Sequence, residues 1–285
     1  VTTETPAPAE PQAPRTPQVQ DGQEAQETQE TRAWQEWRAR RSEALTAPLG
    51  PLSVTGTHWL ADHPDGLLPD IPGRWRPAGE SLSLTRGTGL TVDGRPYAGE
   101  ALLGPDTGAP AASRVAAGRR RLLVLRREGE WAVRIHDPAA PARTAFPGLT
   151  VSPWEARWSV AGRFTPYEST RTERVANADG RERGLGLGGD LDFRLEGHEH
   201  RLRVAVEADG GLWAVFADAT SGSGSFRFRF LHTQAPDAEG RVRVDFNRAV
   251  LPPCALADHF LCPFPPAGNT LPVAVQAGER NLVEG

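Results

Sequence analysis

From residue 51 onward, apolar and polar positions alternate in short runs, the spacing of half-buried β-strands. Ser81–Thr85 and Leu90–Val92 precede Asp93-Gly94, a dipeptide suited to tight hairpins. Arg121–Arg126 and Trp131–His136 form the clearest pair, joined by an Arg-Glu-Gly-Glu loop. In the second run Trp131, Val133 and Ile135 point one way, and Arg134 and His136 the other. These runs predict a first, sandwich-like antiparallel module over residues 48–148. A second module over 149–280 alternates more cleanly. Leu191, Phe193 and Leu195 are followed by Leu202, Val204 and Val206, then by the doubly apolar LWAVFA. Phe226, Phe228 and Phe230 then oppose Arg227 and Arg229, and Val242, Val244 and Phe246 repeat the scheme. Mostly hairpin-length connections make this a meander, which must curl into a barrel or gain a second layer to hide its apolar face. Short strands within Thr270–Gln276 are expected to close it. The stretch 146–170 sets Trp154, Trp158, Phe164 and Tyr167 among prolines and reads as a packed crossover.

Ahead of the β pattern, ETRAWQEWRARRSEAL places Trp34 and Trp37 three apart, with Ala44 and Leu45 two turns on, before Pro48. That predicts an amphipathic helix over 28–47 whose Trp stripe docks on the β body. Residues 1–27 hold mostly Thr, Pro, Ala, Gln and Glu, with Val1 and Val19 as the sizeable apolar groups, a composition that predicts a disordered acidic tail.

Composition narrows the function classes. The chain has 285 residues, 26 Pro and 30 Gly, no Met, and 32 basic residues that are all Arg. That bias points to a GC-rich bacterial genome, so the Arg content is not by itself phosphate recognition. The net charge is −4. Glu4, Glu10, Asp21, Glu24, Glu27 and Glu30 against Arg15 put −5 in the first thirty residues, leaving the body near +1. A near-neutral body predicts no nucleic-acid partner. Val1 reads as a non-AUG start, and no signal peptide or membrane-length apolar run follows it. A cytoplasmic protein is the expectation, with both cysteines as thiols. Its oligomeric state is left open.

Several constellations could carry chemistry. Cys254-x4-His259-x2-Cys262 sets three soft ligands within nine residues. Zinc spacings usually pair such a cluster with a second knuckle, which is absent, so the thiols read as small buried hydrophobes and no metal is assigned. His198-x-His200 puts two imidazoles on one strand face. The cupin metal pattern needs a Gly and a Glu where Asp192 and Val204 or Ala205 stand, so a solvated hairpin end is expected instead. GLGLGG at 184–189 does not open a helix, as a phosphate loop must, and is expected to be a glycine-rich turn. Asp245, Asn247 and Arg248 end a strand and begin a long loop over 247–270. Loops of that length are usually functional or specially tied down, so a polar brace and a ligand site are both open.

The same segment carries a family resemblance. DFNRAVLPPCALADHFLCPFPPAGNTLPVAVQAGER closely resembles the C-terminal signature of domain-of-unknown-function family 1684, and Phe216–Gly222 resembles its F-x-D-x-T-S-G stretch. Earlier pieces, Trp37, PLSVTGTHWL and Phe164-Thr165-Pro166, are also similar, and the resemblance runs from about Trp34 to Glu279. The match falls on Asp218, Thr220, Ser221, Asp245, Asn247, Arg248, Cys254, Cys262, Asn269 and Glu279. His259 stands where the family tends to have an aromatic, and Arg227-Phe228-Arg229 where it tends to have Gly-Gly-Arg. The resemblance implies no established activity.

Taken together, the chain predicts an all-β protein of two packed antiparallel β modules, sandwich-like then meander barrel, with an N-terminal amphipathic helix. The leading expectation is small-molecule binding at the mouth of the second module, drawing on Asp218, Ser221, Asp245, Asn247, Arg248, Asn269 and Glu279. A hydrolase with Asp245 or Glu279 as general base is one alternative; a structural or partner-binding protein is another. Whether the protein is an enzyme stays open, and no cofactor is called for.

Overall fold

The computed structural model describes residues 17–283. It opens with helix α1 (Pro17–Thr46), which starts inside the segment 1–27 expected to be disordered. Gln, Glu and Ala are good helix formers and Pro suits a first helical position, so the composition that argued against a core does not argue against a helix. The rest of that expectation, residues 1–16, lies outside the described residues. The inner face of α1 carries Trp34, Trp37, Arg41 and Leu45, and Ala44 is exposed. Trp34 and Leu45 are buried, and the Trp34 indole donates to the Asn247 carbonyl (2.9 Å).

The first module holds β1 (Val54–Trp59), β2 (Arg74–Ala78), β3 (Ser81–Thr85), β4 (Leu90–Val92), β5 (Arg95–Pro96), β6 (Glu100–Leu103), β7 (Val115–Ala117), β8 (Arg120–Arg127) and β9 (Glu130–His136). One sheet runs β1-β9-β8-β7-β4-β5 and a smaller one β2-β3-β6. Trp75, Leu82, Leu84 and Leu103 of the small sheet share a core with Leu122, Val124, Trp131, Val133 and Ile135 of the large one. The β8–β9 hairpin turns at Glu128-Gly129, both at positive φ, which matches strand twist. Its second face is not solvated as the alternation predicts. Trp59, Leu123, Leu125 and Ala132 are buried there against Leu261, and His136 is buried with its Nδ1 2.8 Å from Ser53 Oγ.

After β10 (Leu149–Val151), the second module comprises β11 (Ser159–Ala176), β12 (Glu182–Leu195), β13 (His198–Val206), β14 (Leu212–Phe216), β15 (Arg229–Thr233), β16 (Arg241–Asp245) and β17 (Glu279–Leu282). Its main sheet runs β15-β14-β13-β12-β11-β16: a meander whose last strand pairs with its first, curled into a half-barrel. Two expectations change here. The crossover is partly β11 itself, and GLGLGG is no turn but the interior of β12. A Cβ at Gly184 would stand 2.6 Å from Thr172 Cγ2, and one at Gly189 2.4 Å from the Phe164 ring, so the glycines let two long strands lie close. Nor do strands close the barrel at 270–276. Apart from one bridge at Thr270, that stretch is an irregular cover that inserts Leu271, Val275 and Ala277 into the core. No described helix is long and apolar enough to cross a membrane.

Trp34→Ala should cost about 3 kcal/mol, the scale of deleting a buried aromatic; an unchanged urea midpoint would show that α1 does not dock through it. Burial holds the His136 imidazole down to about 4, against 6.5 for the free group. The folded value is the lower one, so the unfolded chain binds the extra proton between those pH values. Stability should therefore fall as pH drops through that window. His136→Gln should flatten that part of the stability profile, read from melting temperature against pH.

Candidate functional site

Asp218 ends the strand β14 run and turns the chain: its Oδ1 accepts from Thr220 N and Thr220 Oγ1 (both 2.7 Å), while its own N–H donates to Ser221 Oγ (3.0 Å). That Asx-type turn faces Arg229. The Arg229 Nη2 donates to Asp218 Oδ2 (2.6 Å) and to the Val275 carbonyl (2.9 Å), and Nη1 to the Ala277 carbonyl. Both side chains are fully buried. Burial pushes Arg229 down from its ordinary value, and the Asp218 charge opposes that fall. Alternation had placed Arg229 on a polar face. At β15 both faces are covered, Phe228 and Phe230 on one side and the 275–277 cover on the other, so the arginine is internal. The only hint in the chain was its position beside the doubly apolar LWAVFA.

The cover leads to Glu279. Gly278 has φ +70°, and a Cβ there would stand 2.5 Å from the Ala249 carbonyl, so only glycine lets the strand approach Ala249 this closely. Glu279 N–H then donates to that carbonyl (2.9 Å). The buried Glu279 carboxylate accepts from Arg41 Nε (3.0 Å) and from Leu251 N–H (2.7 Å). A residue of α1 and one of the signature loop thus share one acid.

Asp245 caps the turn Phe246–Arg248, accepting from Asn247 N–H (3.1 Å) and pairing with Arg248 Nε (3.2 Å). Asn247 is buried and holds Glu155 on both sides, accepting its N–H (3.1 Å) and donating to its carbonyl (3.0 Å). The Arg248 guanidinium lies 5.6 Å from the Trp37 ring. Asn269, also buried, accepts from Arg203 N–H and donates to the Arg203 and Val215 carbonyls (each 2.9 Å), stitching two strands. The seven sequence-derived residues therefore fall into separate networks: Asp218 with Ser221 and Arg229, Asp245 with Asn247 and Arg248, Asn269 with Arg203, and Glu279 with Arg41. Asp218, Asn247, Asn269 and Glu279 are buried, with their polar atoms turned to other parts of the chain.

Space opens elsewhere. A cleft of about 660 Å³ lies between the start of β13 and the cover, lined by His198, His200, Arg201, Thr270, Leu271 and Val273 among others. His200 is not at a solvated hairpin end as expected. It is 8% exposed, lies 5.8 Å from the Phe193 ring, and its Nε2 has no partner. β14 pairs with β13 only at Ala205 and Val206, so the outer edge of β13 before Arg203 has no strand beside it. Residues of one strand alternate in the edge they serve, so Glu199 and Arg201 present main-chain groups on the same edge that Asn269 occupies at Arg203. The two cysteines sit apart from this cleft, buried together, and His259 is exposed with its carbonyl taken by Thr57 Oγ1 (2.8 Å). No cluster of three or more metal-ligating side chains occurs among the described residues.

Asp218→Asn strands the buried Arg229 charge and turns an acceptor into a donor facing N–H groups. It should cost about 3–5 kcal/mol in urea unfolding, the usual result of breaking a buried pair. Arg241→Gln, which removes exposed pairs with Asp237 and Glu239, should leave the midpoint unmoved.

Comparisons with known proteins add a family but no activity. A solution NMR structure of an uncharacterized protein of Haloarcula marismortui is similar to this chain at 31% sequence identity, covering 50% of this chain and 81% of that one, with a TM-score of 0.42. No curated protein matches. A family model matches residues 144–280, which takes in Asp218, Asn247, Asn269 and Glu279 and leaves α1 and the first module outside. That segment matches the family described as Protein of unknown function (DUF1684).

Proposed function

We propose that the second module binds a small molecule in the cleft between β13 and the 268–273 cover, and that the signature residues hold the walls of that cleft in place. One observation carries this: the buried Nε2 of His200, on the cleft wall, has no partner. A buried polar atom without a partner is costly, and a ligand that bonds to it recovers the loss. Leu271 and Val273 supply apolar contact, His198 and Arg201 polar groups, and the open edge of β13 main-chain donors and acceptors. This mix suits a ligand with an apolar body and one carboxyl or hydroxyl group. Asn269 sits at the base, where it ties β13, β14 and the cover together. Asp245 and Glu279, the carboxylates considered as general bases, are already engaged as acceptors of guanidinium and main-chain donors, and binding asks nothing further of them.

Native mass spectrometry of the full chain from its own host should reveal a co-purifying small molecule. Ligand-observed NMR against a panel of aliphatic and aromatic carboxylic acids should yield binders in the same cleft. His200→Phe should weaken such binding at least about tenfold, the scale of one lost buried hydrogen bond to a polar partner, at an unchanged melting temperature. Binders indifferent to that change, or none from either experiment, would sink the proposal.

A further inference from the structure

The cysteines are absorbed neither by the proposed cleft nor by a metal. Both lie in a cluster with Val215, Phe228, Phe230, Phe260 and Phe264. Cys254 sits in the tight turn Pro253–Ala255, and its N–H donates to Cys262 Sγ (3.3 Å). That nitrogen is one bond from the Cys254 Cα, so the second sulfur is within reach of the first side chain. The far side of the pair is pinned: the Cys262 carbonyl accepts from Ala178 N–H (2.9 Å), and the Leu261 carbonyl from Asn177 Nδ2 (2.9 Å). Positive charge stands beside each sulfur. The exposed Arg227 guanidinium, 4.6 Å from the Phe264 ring, faces Cys254, while Arg134 stands near Cys262.

We propose that Cys254 and Cys262 are a hydroperoxide-reactive pair, Cys254 the attacking sulfur and Cys262 the resolving one, which closes a reversible disulfide.

The two sulfurs differ in the sense this chemistry needs. The hydrogen bond from Cys262, with the Arg227 charge, lowers the Cys254 thiol against the opposing effect of burial. Cys262 is pushed up because it gives that bond and is buried. The two shifts run in opposite directions, toward the thiolate at Cys254 and toward the protonated thiol at Cys262. At 9% exposure Cys254 is within reach of a small uncharged oxidant rather than a bulky disulfide. In the first step the Cys254 thiolate attacks one oxygen of hydrogen peroxide. The O–O bond breaks, a sulfenic acid forms, and the departing hydroxide takes a proton to leave as water. In the second, the Cys262 sulfur attacks the Cys254 sulfur. The S–S bond forms as the S–O bond breaks, and the hydroxyl leaves with the Cys262 proton as a second water. The sum is two thiols and one peroxide giving one disulfide and two waters.

The segment between the cysteines touches the first module. Thr57 Oγ1 bonds the His259 carbonyl, Leu261 packs on Trp59, and the Arg134 guanidinium lies 4.8 Å from the Phe260 ring. Closing the disulfide therefore alters a contact between the two modules and is read there.

The full chain, treated with hydrogen peroxide and then alkylated under denaturing conditions, should lose two hydrogens and yield a Cys254–Cys262 cross-linked peptide that a dithiol reductant reopens. Cys262→Ser should stop at a sulfenic acid trapped by dimedone, whereas Cys254→Ser should keep its remaining thiol. Arg227→Gln should slow the reaction about tenfold, as expected if the guanidinium sets the thiolate fraction. Three results would overturn the proposal: both thiols surviving peroxide that oxidises free cysteine, equal reactivity of the two serine variants, or disulfides only between chains. Peptide mapping of the parent protein decides even if a variant fails to fold.

Discussion

The buried pair of Arg229 and Asp218 is the constraint on which the second module turns. A guanidinium without solvent needs partners for its donors, and here Nη1 and Nη2 find them in one carboxylate and the carbonyls of Val275 and Ala277, while Nε has none. Those carbonyls belong to a stretch with almost no ladder of its own, so the arginine does for the cover what strand pairing does elsewhere. Such a pair need not raise stability over a well-packed apolar substitute. Its effect is on specificity: an irregular segment of prolines and small residues gets one place to lie. The open half-barrel is thereby roofed, and the cleft beside β13 exists because the roof is held at a fixed distance from the sheet.

A second set of ties works at longer range. Asn247 and Glu279, at the two ends of the signature segment, receive α1 through the Trp34 indole and the Arg41 guanidinium. Glu279 also takes Leu251 N–H, so helix, loop and last strand meet at one carboxylate. The Cys- and Pro-rich span between them is the wedge against the first module. The polar signature thus looks inward, whereas the groups left for a partner, His198, His200 and the edge of β13, stand outside its motif.

The β meander, its strand identities and the Trp-bearing helix were legible because alternation and helical spacing report burial on one face. The same rule failed wherever both faces are covered. Arg229 and His136 alternate as polar positions, yet each is internal because another layer packs on the side the pattern assigns to water. GLGLGG was misread because glycine marks turns and close strand approach alike, and only the neighbours Phe164 and Thr172 tell them apart. The signature residues could be picked out but not their use. Asn247 as a clamp on Glu155, and Glu279 as a partner of Arg41, are contacts across wide sequence separations that no local pattern carries. His200 was set aside with a failed metal motif, and its burial depends on where the cover lies.

The tie between Arg41 and Glu279 also has a consequence for synthesis. The two residues are 238 apart. At typical ribosomal rates about 10–50 s separate their emergence. Throughout that interval α1 exists without its dock, and the faces of Trp34 and Trp37 are bare. The first module can form around its own core in the meantime, but the second takes Leu271, Val275 and Ala277 into its core, and the last few dozen residues must arrive before α1 finds its seat. The docking face of α1 is therefore exposed until Glu279 is made, and that stretch of time is when a chaperone would have something to hold.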